Sequence, residues 1–322
     1  MKRIIILGSV VFLVVVAWCG AWLFFAGQIK STVESLAEAD GITNPKITCG
    51  ALSVAGFPFR FDLTCTDAQL VQEDLTANLA ELRASVLVYQ PTHALFFAKA
   101  PLTLSDAFTG SKQRLDWTDA ELSGHLEGWR IGRISLHAEN VAFNNAIPSD
   151  ELIAKTSLME VHLLDIPEQH DAAAGLAGLA IYAKADNLNA PGFQVNDGDL
   201  DFEAELTKVP DDVRQMLDAD AVRRWQAAGG NLNLVTFHGA DGDANFNAAG
   251  TLNLDAQMRT EGQVKLTSTG IVERFGAMIP AQIRPLILGN QAPDGSYAQT
   301  LTLRGGVILS GILPIGVIPP LF

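Results

Sequence analysis

The chain has 322 residues, with 22 Lys and Arg against 36 Asp and Glu for a net charge of −14, and is 48% hydrophobic and 18% charged. That length allows one large domain or two ordinary ones with ample material for a core. The acidic balance excludes a nucleic-acid binder, because binding by counterion release needs Lys/Arg clusters that occur nowhere here. Mean hydropathy is +0.20, high for a chain meant for water.

Much of that hydropathy lies at the start. After Met1, Lys2 and Arg3, no charge interrupts Ile4 to Gln28, and a helix rising about 1.5 Å per residue crosses the roughly 30 Å hydrocarbon layer within that run. The competing reading is a cleaved signal peptide, whose apolar region is about 7–15 residues and ends at a small-x-small site. The run here is longer. Phe24-Phe25-Ala26 puts a bulky residue where a small one is needed, and Trp18 is too large to precede a lipoprotein Cys19. Residues 1–28 therefore read as a retained signal anchor, with Trp18, Trp22, Phe24 and Phe25 near the distal interface that aromatic rings favour. Lys2 and Arg3 precede it, and Lys30 beyond it soon gives way to Glu34, Glu38 and Asp40. The positive-inside rule then leaves the N-terminus in the cytoplasm. The expectation is a single-pass protein of the bacterial inner membrane with residues 29–322 in the periplasm.

Residues 29–40 continue the helix amphipathically, with Ile29, Val33, Leu36 and Ala37 on one face, and Gly41 ends it. Strand-length alternation follows: Leu52–Val54, Phe57–Leu63 running into Ala68–Val71, Leu75–Leu79, Leu82–Tyr89 and His93–Phe97. It returns at Leu115–Leu126, Ile131–Phe143, Leu158–Leu164, Leu176–Ala185, Gly198–Leu206, Asn231–Val235, Ala244–Met258, Gly262–Thr269, Thr300–Leu303 and Val307–Ser310. Bounding Gly, Pro, Asn and Asp make this an antiparallel meander. Helices are expected at Pro210–Ala228, with Val213/Met216/Leu217 spacing and a Gly229-Gly230 stop, and at Ile271–Leu288, bent or split by Pro280 and Pro285; a short one is considered at Asp165–Gly175. The apolar tail from Gly305 to Phe322 carries Pro314, Pro319 and Pro320, which suit a buried strand and turn better than a membrane helix. The fold class is α+β, mainly β: long twisted antiparallel sheet with a few packing helices after one transmembrane helix. Residues 29–322 form the exported domain, with a candidate sub-boundary near 190–210.

Cys49 and Cys65 are the exported cysteines. In an oxidising compartment they form a disulfide closing a loop of about 17 residues, worth about 3 kcal/mol; the alternative is two unpaired buried thiols. Neither they nor the six His fall into a metal-ligand spacing. There is no G-x-S-x-G elbow or phosphate-binding glycine loop, and Asp241-Gly-Asp243 reads as a hairpin turn rather than a calcium loop. No catalytic, cofactor or metal residue is assigned, and the chain reads as non-enzymatic. Ala94–Ala98 and Gly305–Leu309 are apolar on both faces of their strands, so either both faces are covered or one lines a groove for an apolar ligand.

Val54-Ala-Gly-Phe-Pro-Phe-Arg-Phe61 lies between the two cysteines and soon after the single span. With Tyr89-Gln-Pro-Thr-His93, Ala100-Pro101, Gly305-Gly306 and Pro314-Ile-Gly316, it resembles the family called domain of unknown function 2125, exported alphaproteobacterial proteins, over nearly the whole exported chain. An anchor followed by an exported sheet also resembles the AsmA-like proteins, which implies a link to lipid movement by analogy of fold. Within the motif, Gly56 suits a turn or bulge, Pro58 an edge or bulge, and period two puts Phe57, Phe59 and Phe61 on one face with Arg60 on the other. These residues read either as a rigid strand start stapled by the disulfide or as a contact in which the Phe rings line an apolar mouth and Arg60 meets a lipid phosphate or acidic partner. The expected function is binding or guiding an amphipathic envelope lipid in a sheet-lined groove. The rival is an envelope scaffold that docks another protein.

Overall fold

The apolar run folds as one helix, α1 (Lys2–Ser35), long and apolar enough to cross a membrane. A single 3₁₀ turn at Leu36–Glu38 follows, and Gly41, at φ +70°, turns the chain into the sheet with a backbone conformation that L side chains resist. Cys19, Trp22, Ala26, Ile29 and Val33 are the α1 residues shielded from solvent, at the three- and four-residue spacing of one helix face that Ala37 of the 3₁₀ turn continues. Ile29, Val33 and Ala37 therefore share a face as expected, whereas Leu36, in the 3₁₀ turn, is 38% exposed.

The computed structural model describes residues 2–147, 149–216, 220–272 and 281–320. It contains two compact units, Met1–Ser123 with Ala142–Glu151, and Gly124–Val141 with Leu152–Phe322. Both are built on antiparallel strands. In the first unit these are β1 (Lys46–Thr48), β2 (Ala51–Ala55), β3 (Arg60–Gln72), β4 (Leu75–Leu87), β5 (Gln90–Asp106) and β6 (Lys112–Asp116), with the ends of β7 (Asp119–Glu127) and β8 (Arg130–Asn145). β1 and β2 both pair with β3, which pairs with β4, then β5, then β6. The expected separate strands at 75–79 and 82–89 are one strand, and the expected strand at 115–126 is two.

In the second unit, β9 (Glu151–Asp171), β10 (Leu176–Ala190), β11 (Val195–Pro210), β12 (Leu232–Asp241), β13 (Ala244–Leu254), β14 (Thr260–Thr269), β15 (Tyr297–Arg304), β16 (Val307–Ser310) and β17 (Leu313–Val317) pair in chain order. Residues 190–210, the candidate sub-boundary, are the turn and second strand of the β10–β11 hairpin. No helix forms at 165–175: β9 continues to Asp171, with Asp165 buried against Arg130. The helical stretch at 210–228 resolves into α2 (Val213–Met216) and α3 (Ala221–Ala227), with Pro210 still in β11 and 217–219 outside the described residues. Of the stretch 271–288, residues 273–280 with Pro280 lie outside the described residues; α4 (Arg284–Leu288) carries Pro285 in its first turn, where a missing N–H costs nothing. The tail forms β16 and β17, and Gly242 with Asp243 makes the tight turn between β12 and β13.

Among the described residues, the second unit has two apolar cores. Ile131, Ala177, Leu179 and Val209 form one, covered by Met216 and Trp225 of the short helices. Ala244, Ile271 and Leu288 form the other, packed against Phe246 and Tyr297.

Candidate functional site

The Gly56–Phe61 motif lies where α1 meets the first unit's sheet. Gly56 has φ +97°, and a Cβ there would lie 2.7 Å from the Arg60 carbonyl oxygen, so the turn between β2 and β3 requires glycine. Phe57-Pro58 is a cis peptide bond in that turn. Residues 57–59 are turn rather than strand, so the three Phe rings share a side through a different geometry from the expected period-two strand. Phe61, in β3, stacks on Trp22 of α1 with centroids 5.4 Å apart and planes 14° apart. Phe57 meets the same indole edge-on at 5.5 Å, and Phe59 faces Trp18 at 6.4 Å. Each indole also donates to the turn's backbone: Trp18 Nε1 to the Pro58 carbonyl and Trp22 Nε1 to the Arg60 carbonyl, both at 3.0 Å.

Arg60 leans on its neighbour: its Nε donates to Asp62 Oδ2 at 2.7 Å, and Asp62 Oδ1 accepts from Ser85 Oγ at 2.7 Å. The Arg60 side chain remains 56% exposed. An ion pair so placed is worth only about 0–1 kcal/mol and leaves the guanidinium open to a competing anion. Cys49 and Cys65 are joined, closing the loop that holds the motif.

From the Trp22–Phe61 stack an apolar surface runs up one face of the sheet. Phe61 pairs with Val86 and Val86 with Ala94; the next row on that face is Val54, Leu63, Ala84 and Phe96, and the next Leu52, Cys65, Leu82 and Ala98. None of the residues in these rows is charged, and Leu82 is 36% exposed. The opposite face carries Asp62, Thr64, Glu81, Arg83 and Ser85, and there the Arg83 guanidinium lies 5.6 Å from the Phe97 ring centroid. The doubly apolar stretch 94–98 is thus divided, with Phe97 beneath a cation and Phe96 in the uncharged rows. Beyond them the alternation changes parity, at Asp67 with φ +48° and at a register shift between Leu79 and Glu81.

A family model described as an uncharacterized protein conserved in bacteria, domain of unknown function 2125, matches residues 22–319. The chain belongs to this family. Its match begins at Trp22, the indole that holds Phe61 and the Arg60 carbonyl. No curated protein and no solved structure matches the chain.

The second unit holds a separate apolar cavity of about 490 Å³, within the usual range for small-molecule pockets. Leu163, Ile181 and Leu206 floor it, and Met216, Val222 and Trp225 from α2 and α3 roof it. The one indole N–H of its lining is already donated, from Trp225 Nε1 to the Thr207 carbonyl at 2.8 Å. Sequence reasoning did not find this cavity, because its roof is two short helices whose apolar spacing reads as a single ordinary one.

The histidines stand apart. His93 Nε2 and Ser123 Oγ are 3.0 Å apart, His162 stacks on Tyr182, and His170 Nε2 is 3.3 Å from Asp211 Oδ2. His137 lies between Glu160 and Glu139, and hydrogen bonding to Glu160 first, then Glu139, raises its pKa above the ordinary 6.5. Among the described residues no three His, Cys, Asp or Glu side chains converge as a metal site.

Proposed function

We propose that this protein is a single-pass component of a bacterial inner membrane, its N-terminus cytoplasmic and its sheet-bearing bulk periplasmic, that binds or guides an amphipathic envelope lipid along the apolar face of the first unit. One observation carries the reading: the uncharged rows of β2–β5 begin at the Trp22–Phe61 stack, on the helix that is apolar enough to enter the bilayer. A lipid leaving the membrane at that point meets apolar side chains instead of water, and each methylene kept from water retains about 0.8 kcal/mol. Phe57, Phe59 and Phe61 contact the acyl part, and Arg60, tied to Asp62 by a weak surface pair, meets the phosphate. The role is carriage or retention and involves no reaction.

The test places a photo-reactive benzoylphenylalanine at Leu82 or at Phe96 in the full chain in its native membrane. Both positions are up the sheet, away from the α1 junction. Lipid adducts identified by mass spectrometry are the expected result; their absence at both sites overturns the proposal. A stoichiometric protein adduct in their place supports the rival scaffold role. The observation favouring that role is the exposed apolar character of the last strand, where Leu313 is 51% and Val317 73% exposed.

A further inference from the structure

The depth of the motif along α1 has a separate consequence. Starting from Ile4, about 20 helical residues fill the hydrocarbon layer, which puts its far boundary near Leu23. Trp18 is five residues short of that point, about 8 Å inside it along the helix axis, and Trp22 lies at it. The Pro58 and Arg60 carbonyls are hydrogen-bonded to these indoles and so share their depth. The β2–β3 turn therefore cannot stand in the water above the membrane.

Its chemistry suits that position. Gly56-Phe57-Pro58-Phe59 carries no charge; Phe57 is 53% and Phe59 60% exposed among the described residues. Backbone polar groups entering lipid need partners, and the turn supplies them for four of its carbonyls. The Gly56 carbonyl accepts from Arg60 N at 3.0 Å and the Phe59 carbonyl from Val88 N at 2.9 Å. The Pro58 and Arg60 carbonyls take the indoles, and Pro58 has no N–H to satisfy. The next tip at this end of the sheet, between β4 and β5, is tied to the first by that Val88–Phe59 bond and presents Tyr89 at 70% exposure, an amphipathic ring of the kind that favours the headgroup level.

We infer that the β2–β3 and β4–β5 tips form an aromatic foot of Phe57, Phe59 and Tyr89 that inserts into the leaflet from which α1 emerges, reaching from the headgroup level at Tyr89 into the acyl chains at Phe59. The partner is the bilayer itself. The foot brings the lowest apolar row, Phe61 with Val86 and Ala94, to the acyl layer, so an acyl chain reaches the sheet face without crossing water. The inference rests on α1 spanning the membrane, and stands whether or not lipid travels further up the sheet.

The test uses the full chain in phosphatidylcholine–phosphatidylglycerol vesicles. Cys19 is replaced by Ala and single cysteines carrying an environment-sensitive fluorophore are introduced by F59C, Y89C, V14C and F108C. Phe108 is the reference because it lies beyond the opposite end of β5 from Tyr89, at 85% exposure, and Val14 lies inside the span. Nitroxide-labelled lipids, at the headgroup, near the carbonyl and near the methyl end of the acyl chain, act as quenchers. The expected result is blue-shifted emission at both tips, with F59C quenched more by the near-carbonyl than by the headgroup label, Y89C most by the headgroup and near-carbonyl labels, V14C most by the deep label and F108C by none. If V14C is quenched while F59C and Y89C behave like F108C, the foot is overturned and the span stands. If V14C itself escapes quenching, the spanning reading fails and the foot with it.

Discussion

Replacing Trp22 by Ala removes one of the two indole contacts through which α1 holds the first unit's sheet. The indole is 8% exposed, stacks on Phe61, meets Phe57 edge-on and donates to the Arg60 carbonyl. Aromatic pairs contribute about 0.5–1.5 kcal/mol each beyond area burial, and the hydrogen bond about 1 kcal/mol net. With lost burial, the total falls in the range of about 3–5 kcal/mol found for Trp→Ala in cores. At the lower limit, local separation of the β2–β3 turn from α1 becomes more frequent by about a hundredfold, at 1.4 kcal/mol per factor of ten. Insertion of α1 is unaffected, because the remaining residues of the run keep it apolar. Hydrogen exchange read by mass spectrometry on the full chain in nanodiscs follows the amides of residues 56–61 and 87–90, which W22A should deprotect. W22F keeps most of the ring contact, so its loss is about 1 kcal/mol for the N–H. L23A removes a side chain that is 66% exposed and serves as the control. Unchanged protection in W22A, or equal deprotection in L23A, refutes the packing argument.

Other outcomes follow from single features. Removing the Cys49–Cys65 crosslink by C49A/C65A frees a loop of about 17 residues and lowers stability by about 3 kcal/mol, read as a lower thermal midpoint that added reductant reproduces in the parent protein and not in the variant. Gly56→Ala forces an L side chain to φ +97° and sets its Cβ 2.7 Å from the Arg60 carbonyl; the left-handed backbone alone costs about 1–2 kcal/mol, so exchange at the turn accelerates while the β12–β13 hairpin is unchanged. His137 titrates above its ordinary value because Glu160 and Glu139 favour the charged ring. Its contribution to stability is fully present below the unfolded value of 6.5 and is lost as pH rises through the folded value. NMR titration should place its midpoint above that of a free imidazole, and E160Q should bring it down; no change in E160Q refutes the assigned cause.

Elements whose pattern is local were legible in the sequence. The uncharged run gave α1, period-two alternation gave most strands, and the sixteen-residue cysteine separation fits the disulfide now seen. What escaped depends on partners distant in the chain. Asp165 suggested a helix start, yet it belongs to a strand because Arg130, 35 residues earlier, takes its charge. β4 reads as two strands because its apolar positions change from odd to even where β5 slips register, opposite the stretch that contains Pro101. At the candidate site, the motif singled out Phe57, Phe59, Phe61 and Arg60 but not what they touch. Trp18 and Trp22 looked like ordinary interfacial aromatics, and nothing across sequence separations of 40 and 38 residues marks them as donors to the turn's carbonyls. Their position four residues apart on α1 was the available signal, since that spacing aims both rings to one side of a helix.

The two indole-to-carbonyl bonds constrain more than depth. A hydrophobic segment alone leaves a tethered body free to swivel, but donors on two successive turns of α1, each committed to its own carbonyl, set the azimuth of the helix against the sheet. An unrelated apolar helix spliced in before Gln28 would keep a segment long and apolar enough to cross a membrane while losing the bearing of the sheet against it.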